Sequence, residues 1–101
     1  MSMGLLKCKI SPGQFTNEYA VSAEMFDGEG FSLFASKDDL ECSKFPENGE
    51  TLSGLIRVEI LDEDEGLMLL RLPQRALENG DTVTVRADQV QVLRQKNPQK
   101  A

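Results

Sequence analysis

Two alternating apolar runs, Leu55–Leu61 and Leu67–Leu72, flank the acidic stretch Asp62-Glu63-Asp64-Glu65-Gly66. Successive side chains of a strand point to opposite faces, so two such runs around a short polar segment ending in Gly read as a β-hairpin. Ile56, Val58 and Ile60 then share one face, with Arg57 and Glu59 on the other. The return strand is apolar at four successive positions, Leu67-Met68-Leu69-Leu70. That pattern predicts a strand covered on both faces, by this chain or by another. Pro73 is expected to end it, and Pro73–Asn79, closed by Gly80, to hold one helical turn.

The rest of the chain carries the same period. Leu5–Ile10 reads as a first strand with Leu6, Cys8 and Ile10 inward, ended by Ser11-Pro12-Gly13-Gln14. Glu18–Phe26 turns Tyr19, Val21, Ala23 and Met25 inward. Asp27-Gly28-Glu29-Gly30 is a turn, since Asp-Gly supplies positive φ. Phe31–Ala35 returns with Phe31 and Leu33 on one face and Phe34 on the other. Ser36-Lys37-Asp38-Asp39 predicts one capped helical turn. Phe45–Glu50 reads as a surface loop, Asp81–Arg86 as a strand, Ala87-Asp88-Gln89 as a tight turn and Val90–Leu93 as a short last strand. The segments 33–42 and 83–92 share an apolar pattern in which Asp38 and Asp88 are the identical pair. A duplicated half-domain would give this echo, but so would any two strand–turn–strand units, and the second is the default expectation.

At 101 residues the chain suits one domain, long enough to fold without disulfide or metal staples. Residues 1–93 are expected to form it, and 94–101 a disordered polar tail. The net charge of −6 divides unevenly, with −9 in residues 1–93 and +3 from Arg94, Lys96 and Lys100. An acidic body repels phosphate backbones and anionic lipid heads, so neither nucleic acid nor membrane is an expected partner. No apolar run reaches the roughly 20 residues of a membrane span, and the start of the chain lacks a signal-peptide pattern, which predicts a cytoplasmic protein. Cys8 and Cys42 read as two buried thiols, and a disulfide between them would require an oxidising compartment.

The chain has no His, which removes the commonest general base and metal ligand. No Gly-rich strand-to-helix loop is present, so no cofactor is expected. Asp62, Asp64 and Glu65 concentrate hard oxygen ligands, but without the spacing of a calcium loop; charges that block edge-to-edge pairing are the simpler reading. Arg71-Leu-Pro-Gln-Arg75 resembles the R-x-x-x-R motif of the PilZ family, a β-barrel that binds a cyclic dinucleotide. Two guanidinium forks can clamp phosphates. The family's second motif, Asp/Asn-x-Ser-x-x-Gly, has no counterpart, because the following segment reads Asn79-Gly80-Asp81-Thr82. The match is therefore read as chance, and Arg71 as an outward strand residue paired with a carboxylate such as Glu59.

These observations predict a small antiparallel β-barrel, SH3-like before OB-like, of six or seven short strands with one or two single helical turns. The expected function is a non-catalytic protein-interaction module or small structural subunit. It would meet a protein partner, or a second copy of itself, through Phe15, Phe45, Leu67 and Leu69. A small-ligand or divalent-cation domain centred on Asp62, Asp64 and Glu65 is the alternative. A carboxylate-dependent enzyme is the least favoured.

Overall fold

The computed structural model describes residues 2–77 and 80–93. The tail expected over 94–101, and the last two residues of the helical turn expected at Pro73–Asn79, lie outside the described residues. No helix among those described is long and apolar enough to cross a membrane.

Eight antiparallel strands form one continuous sheet: β1 (Ser2–Pro12), β2 (Glu18–Glu24), β3 (Gly30–Ser36), β4 (Leu40–Glu41), β5 (Leu52–Asp64), β6 (Leu67–Ala76), β7 (Gly80–Arg86) and β8 (Val90–Leu93). Five of them close a barrel in the order β5-β1-β2-β3-β6, with β6 pairing back to β5. The outer strands β4, β7 and β8 lie against β5, β6 and β1. Two single 3-10 turns, Lys37–Asp39 and Ala87–Gln89, complete it. The all-β barrel is as the alternation predicts; the strand beyond the expected six or seven is the two-residue β4.

The inward positions are those the period picks out. Leu6, Ile10, Val21, Phe31, Leu33, Ile56, Val58 and Leu70 are buried in one cluster. The acidic hairpin turns on Glu65 and Gly66 alone, both at positive φ (51° and 83°). That is the two-residue geometry that matches the twist of antiparallel strands, and Gly at the second position carries it without Cβ strain.

Two expectations are corrected. Pro73 does not end β6, which runs on to Ala76, and no helical turn forms there. Between Arg71 and Ala76 the ladder with β7 shifts register, and Pro is tolerated in strands at such irregularities because no ladder hydrogen bond is asked of it. The second helical turn is instead at Ala87–Gln89. Nor is β6 covered on both faces. It is paired along both edges, to β5 and to β7, but of Leu67–Leu70 only Met68 and Leu70 point inward; Leu67 is half-buried and Leu69 is 37% exposed.

The echo between the halves is a true internal repeat. Adding 50 to the bounds of β3 and of the first 3-10 turn gives β7 and the second, and β4 and β8 begin at Leu40 and Val90. Adding 49 to the start of β2 gives the start of β6. The registers obey the same relation. Leu40 pairs with Ile56 while Val90 pairs with Leu6, and Leu6 and Ile56, themselves equivalent, pair with each other. A pseudo-two-fold axis therefore passes through the Leu6–Ile56 pair. Single bonds repeat as well. Lys37 N–H donates to Asn17 O and Ala87 N–H to Gly66 O, with Asn17 and Gly66 both at positive φ. Ser36 N–H donates to Asp39 Oδ2 and Arg86 N–H to Gln89 Oε1, each bond closing its 3-10 turn. The two halves interlock, because β4 of the first lies on β5 of the second and β8 of the second lies on β1 of the first.

Candidate functional site

A small barrel with internal two-fold symmetry has two equivalent weak places in its wall. β1 pairs β8 through Met3–Leu6 and β2 through Lys9–Pro12, so at Lys7 and Cys8 that edge has neither partner. β5 makes the same change, from β4 at Leu55–Ile56 to β6 from Glu59 onward, with Arg57 and Val58 between. The two breaks are finished differently, and the difference defines the site.

At the β5 break the wall is closed. Leu72, inward on β6, is 4% exposed. Arg71 Nη1 meets Glu59 Oε1 at 3.2 Å across the end of the ladder, the pairing expected from sequence. Arg57, within the gap, is held on the β4 side, with Nη2 2.7 Å from Glu41 Oε2 and Nη1 donating to Asp38 O at 2.8 Å.

At the β1 break each of these devices is missing. Ala23 stands where Leu72 stands, Ser22 and Lys9 where Arg71 and Glu59 form their ion pair, and Lys7 where Arg57 does. Lys9 Nζ turns aside to Ser53 Oγ at 2.9 Å. The result is a groove of about 830 Å³, running from Ala23 and Glu24 across β1 to Cys42, Ser53 and Gly54, with Gln89 at the Glu24 end and Arg86 also in the lining. This volume lies within the range of small-molecule and side-chain pockets. The buried Gln89 braces that end, its Nε2 donating to Glu24 O at 2.8 Å.

Both cysteines line the groove, where Val58 and Val92 stand in the other half. Cys8 pairs with Gly54 across β1 and β5, and Cys42 Cβ lies 3.3 Å from where a Cβ on residue 54 would sit. With β5 between them, their backbones are two strand spacings apart, roughly 9–10 Å. That exceeds the ~7 Å limit for a disulfide, and both thiols are free.

Burial, and secondarily the neighbouring Cys42, push the Cys8 thiol up from 9.0 to about 12. Iodoacetamide at pH 8 is therefore expected to alkylate Cys42 and spare Cys8 in the folded protein, and to label both in denaturant, as read by mass spectrometry. The pH dependence has a definite sign. Below about pH 9 the Cys8 thiol is neutral in both states, and its contribution to stability is fully present. Between about 9 and about 12 the unfolded chain releases the proton first. The wild type is thus expected to lose on the order of a few kcal/mol relative to Cys8→Ala across that window, and urea melts at stepped pH measure it.

The residues proposed from sequence are scattered. Phe15, in the loop after β1, is 71% exposed and stands apart from the groove lining. Phe45 folds back as a cap on the barrel end, its ring 5.1 Å from Tyr19 and under the Lys37 ammonium at 4.9 Å. Leu67 and Leu69 lie on the outer face of β6, between acidic positions of β5 and Arg86 and Thr84 of β7. Asp62 and Asp64 belong to β5 and share a face, whereas Glu65 is in the turn; Asp62 Oδ1 accepts the Glu63 N–H. Among the described residues no three acidic, Cys or His side chains converge as a metal site. Arg71 and Arg75 are four strand positions apart, roughly 13 Å, and Arg71 is engaged by Glu59.

Sequence reasoning missed Lys7, Ala23, Gly54 and Gln89. The signal that finds them is the alignment of the halves, in which Gly4-Leu5 matches Gly54-Leu55, Ile10 matches Ile60 and, once one residue is dropped between the first two strands of the second half, Ala23 matches Leu72. Compared with known protein families, curated proteins and solved structures, the chain matches none.

Proposed function

We propose that the protein is a non-catalytic binding module whose contact surface is the groove at the β1 break. One observation carries this reading: of two symmetry-related gaps in the wall, one is filled by Leu72 and tied by two arginines, and the other is left open over Ala23 and two thiols. The thiols and Gly54 give a soft, weakly polar floor, and Lys7, Lys9, Glu24 and Arg86 give a charged rim, which is the anatomy of a recognition pocket. The absence of His removes the commonest general base, which favours binding over catalysis.

Ala23→Leu tests it. The substitution puts the closed half's side chain at residue 23, beside the buried Phe31 where the closed half has the exposed Asp81, so it is expected to change stability by less than about 2 kcal/mol. It is also expected to abolish binding. An amide NMR screen of a chemically mixed fragment set should give shifts gathered at Cys8, Ala23, Gly54 and Gln89 in the wild type and none there in the variant. Shifts gathered instead around Phe15 or Leu69 would overturn the proposal.

A further inference from the structure

We infer that the groove receives a partner protein's segment in which a branched aliphatic side chain is carried next to a carboxylate. This rests on the binding-module reading above and deepens it. The molecule contains its own template, because the closed break displays what fills such a gap. There the occupants are an isobutyl group, Leu72, and a carboxylate, Glu41, held on the cation that corresponds to Lys7. The open break lacks both. Ala23 carries a methyl where Leu72 carries an isobutyl, with Phe31 across from it and the groove beside it, and Gln91, neutral, stands at the position equivalent to Glu41. Lys7 has no ion pair among the described residues, whereas its equivalent Arg57 has one at 2.7 Å.

The two deficits adjoin. Lys9 pairs with Ser22, so continuing that register sets Cys8 opposite Ala23 and Lys7 opposite Glu24. A segment entering the groove would bury its aliphatic group over Ala23 and the Cys8 and Cys42 thiols, and set its carboxylate on the Lys7 and Lys9 side. The other charges of the lining restrict it further. Glu24 repels a carboxylate placed on its side of the gap, Glu41 is held by Arg57, and Arg86 is held by Asp88 at 3.2 Å. That leaves the β1 side as the seat for negative charge. A partner segment with an apolar side chain but no acid would fill the volume and leave Lys7 unpaired.

The test is an amide NMR titration of the full chain with the blocked tetrapeptide Ac-Gly-Leu-Asp-Gly-amide. The expected result is saturable shifts at Lys7, Cys8, Ala23 and Gly54. Replacing the peptide's Leu by Ala should weaken binding about tenfold or more, the loss of a buried isobutyl group. Replacing its Asp by Asn, or Lys7 by Gln in the protein, should each weaken it about threefold, the scale of a solvent-exposed ion pair. Ala23→Leu should abolish it. Binding that is indifferent to the Leu replacement, or to both the Asn and the Lys7→Gln changes, overturns the inference. So does binding of free N-acetyl-leucine without binding of the peptide, since the occupant would then be a small acid. If other fragments occupy the groove while the peptide does not, the inference fails and the binding-module reading stands. If nothing binds there, both fail.

Discussion

Phe31→Ala is expected to cost about 3–5 kcal/mol of stability, the range for emptying a buried ring site. For a domain of this size that lowers the melting temperature by on the order of 20 °C. Phe31 heads the fully buried side chains in volume and is 1% exposed. It sits on β3 opposite Ala23, and its pseudo-symmetric equivalent is Asp81, exposed on β7. The core is therefore symmetric in its strands and asymmetric in its filling. One ring from the first half is wholly buried, and its counterpart in the second half is a surface carboxylate. Phe34, on the outer face of the same strand, serves as the control; Phe34→Ala should change stability by less than about 0.5 kcal/mol. Chemical denaturation of the two variants beside the wild type measures both, and a small effect at Phe31 would mean that the barrel packs otherwise.

The second large effect is expected at Gly54. A Cβ there would collide with Ile10 Cδ1 and lie 3.3 Å from both Cys42 Cβ and Glu41 O. Ile10 is fully buried, so its terminal methyl cannot swing away. Gly54→Ala should cost about 1–3 kcal/mol, the usual penalty for overpacking. Ile10→Val removes the colliding methyl, so the double variant should be more stable than the two separate losses predict, a coupling that a double-mutant cycle reads directly. The equivalent Gly4 is less constrained on one side, since its nearest neighbour is Cγ1 of the half-buried Val90, at 2.8 Å. Gly4→Ala is expected to cost less than Gly54→Ala.

Most of the strands could be read from the chain because each inward face is marked by alternation. Leu6, Cys8 and Ile10, or Ile56, Val58 and Ile60, admit no other register. The reading failed where pairing and covering give similar patterns. Leu67-Met68-Leu69-Leu70 is apolar throughout, yet only alternate residues are inside, and Leu69 faces solvent between two well-paired neighbours. It also failed at Pro73, where a local shift in register accommodates a residue that usually ends a strand. The groove was not legible for a different reason. Ala23 is an unremarkable inward residue of an alternating strand, and its meaning comes from Leu72, 49 positions further on, which shows how much side chain that place can hold. A site defined by a missing side chain has no motif of its own.

The interlocking of the halves also bears on what two chains can do to each other. Every contact between residues before and after the connection 42–51 is an intramolecular copy of one that two molecules could make by trading halves. An exchanged dimer would contain two complete barrels and need only a straightened connection, the situation in which domain swapping is cheap. Each groove of that dimer would be built from both polypeptides, with Lys7, Ala23 and Cys42 given by one and Gly54, Arg86 and Gln89 by the other.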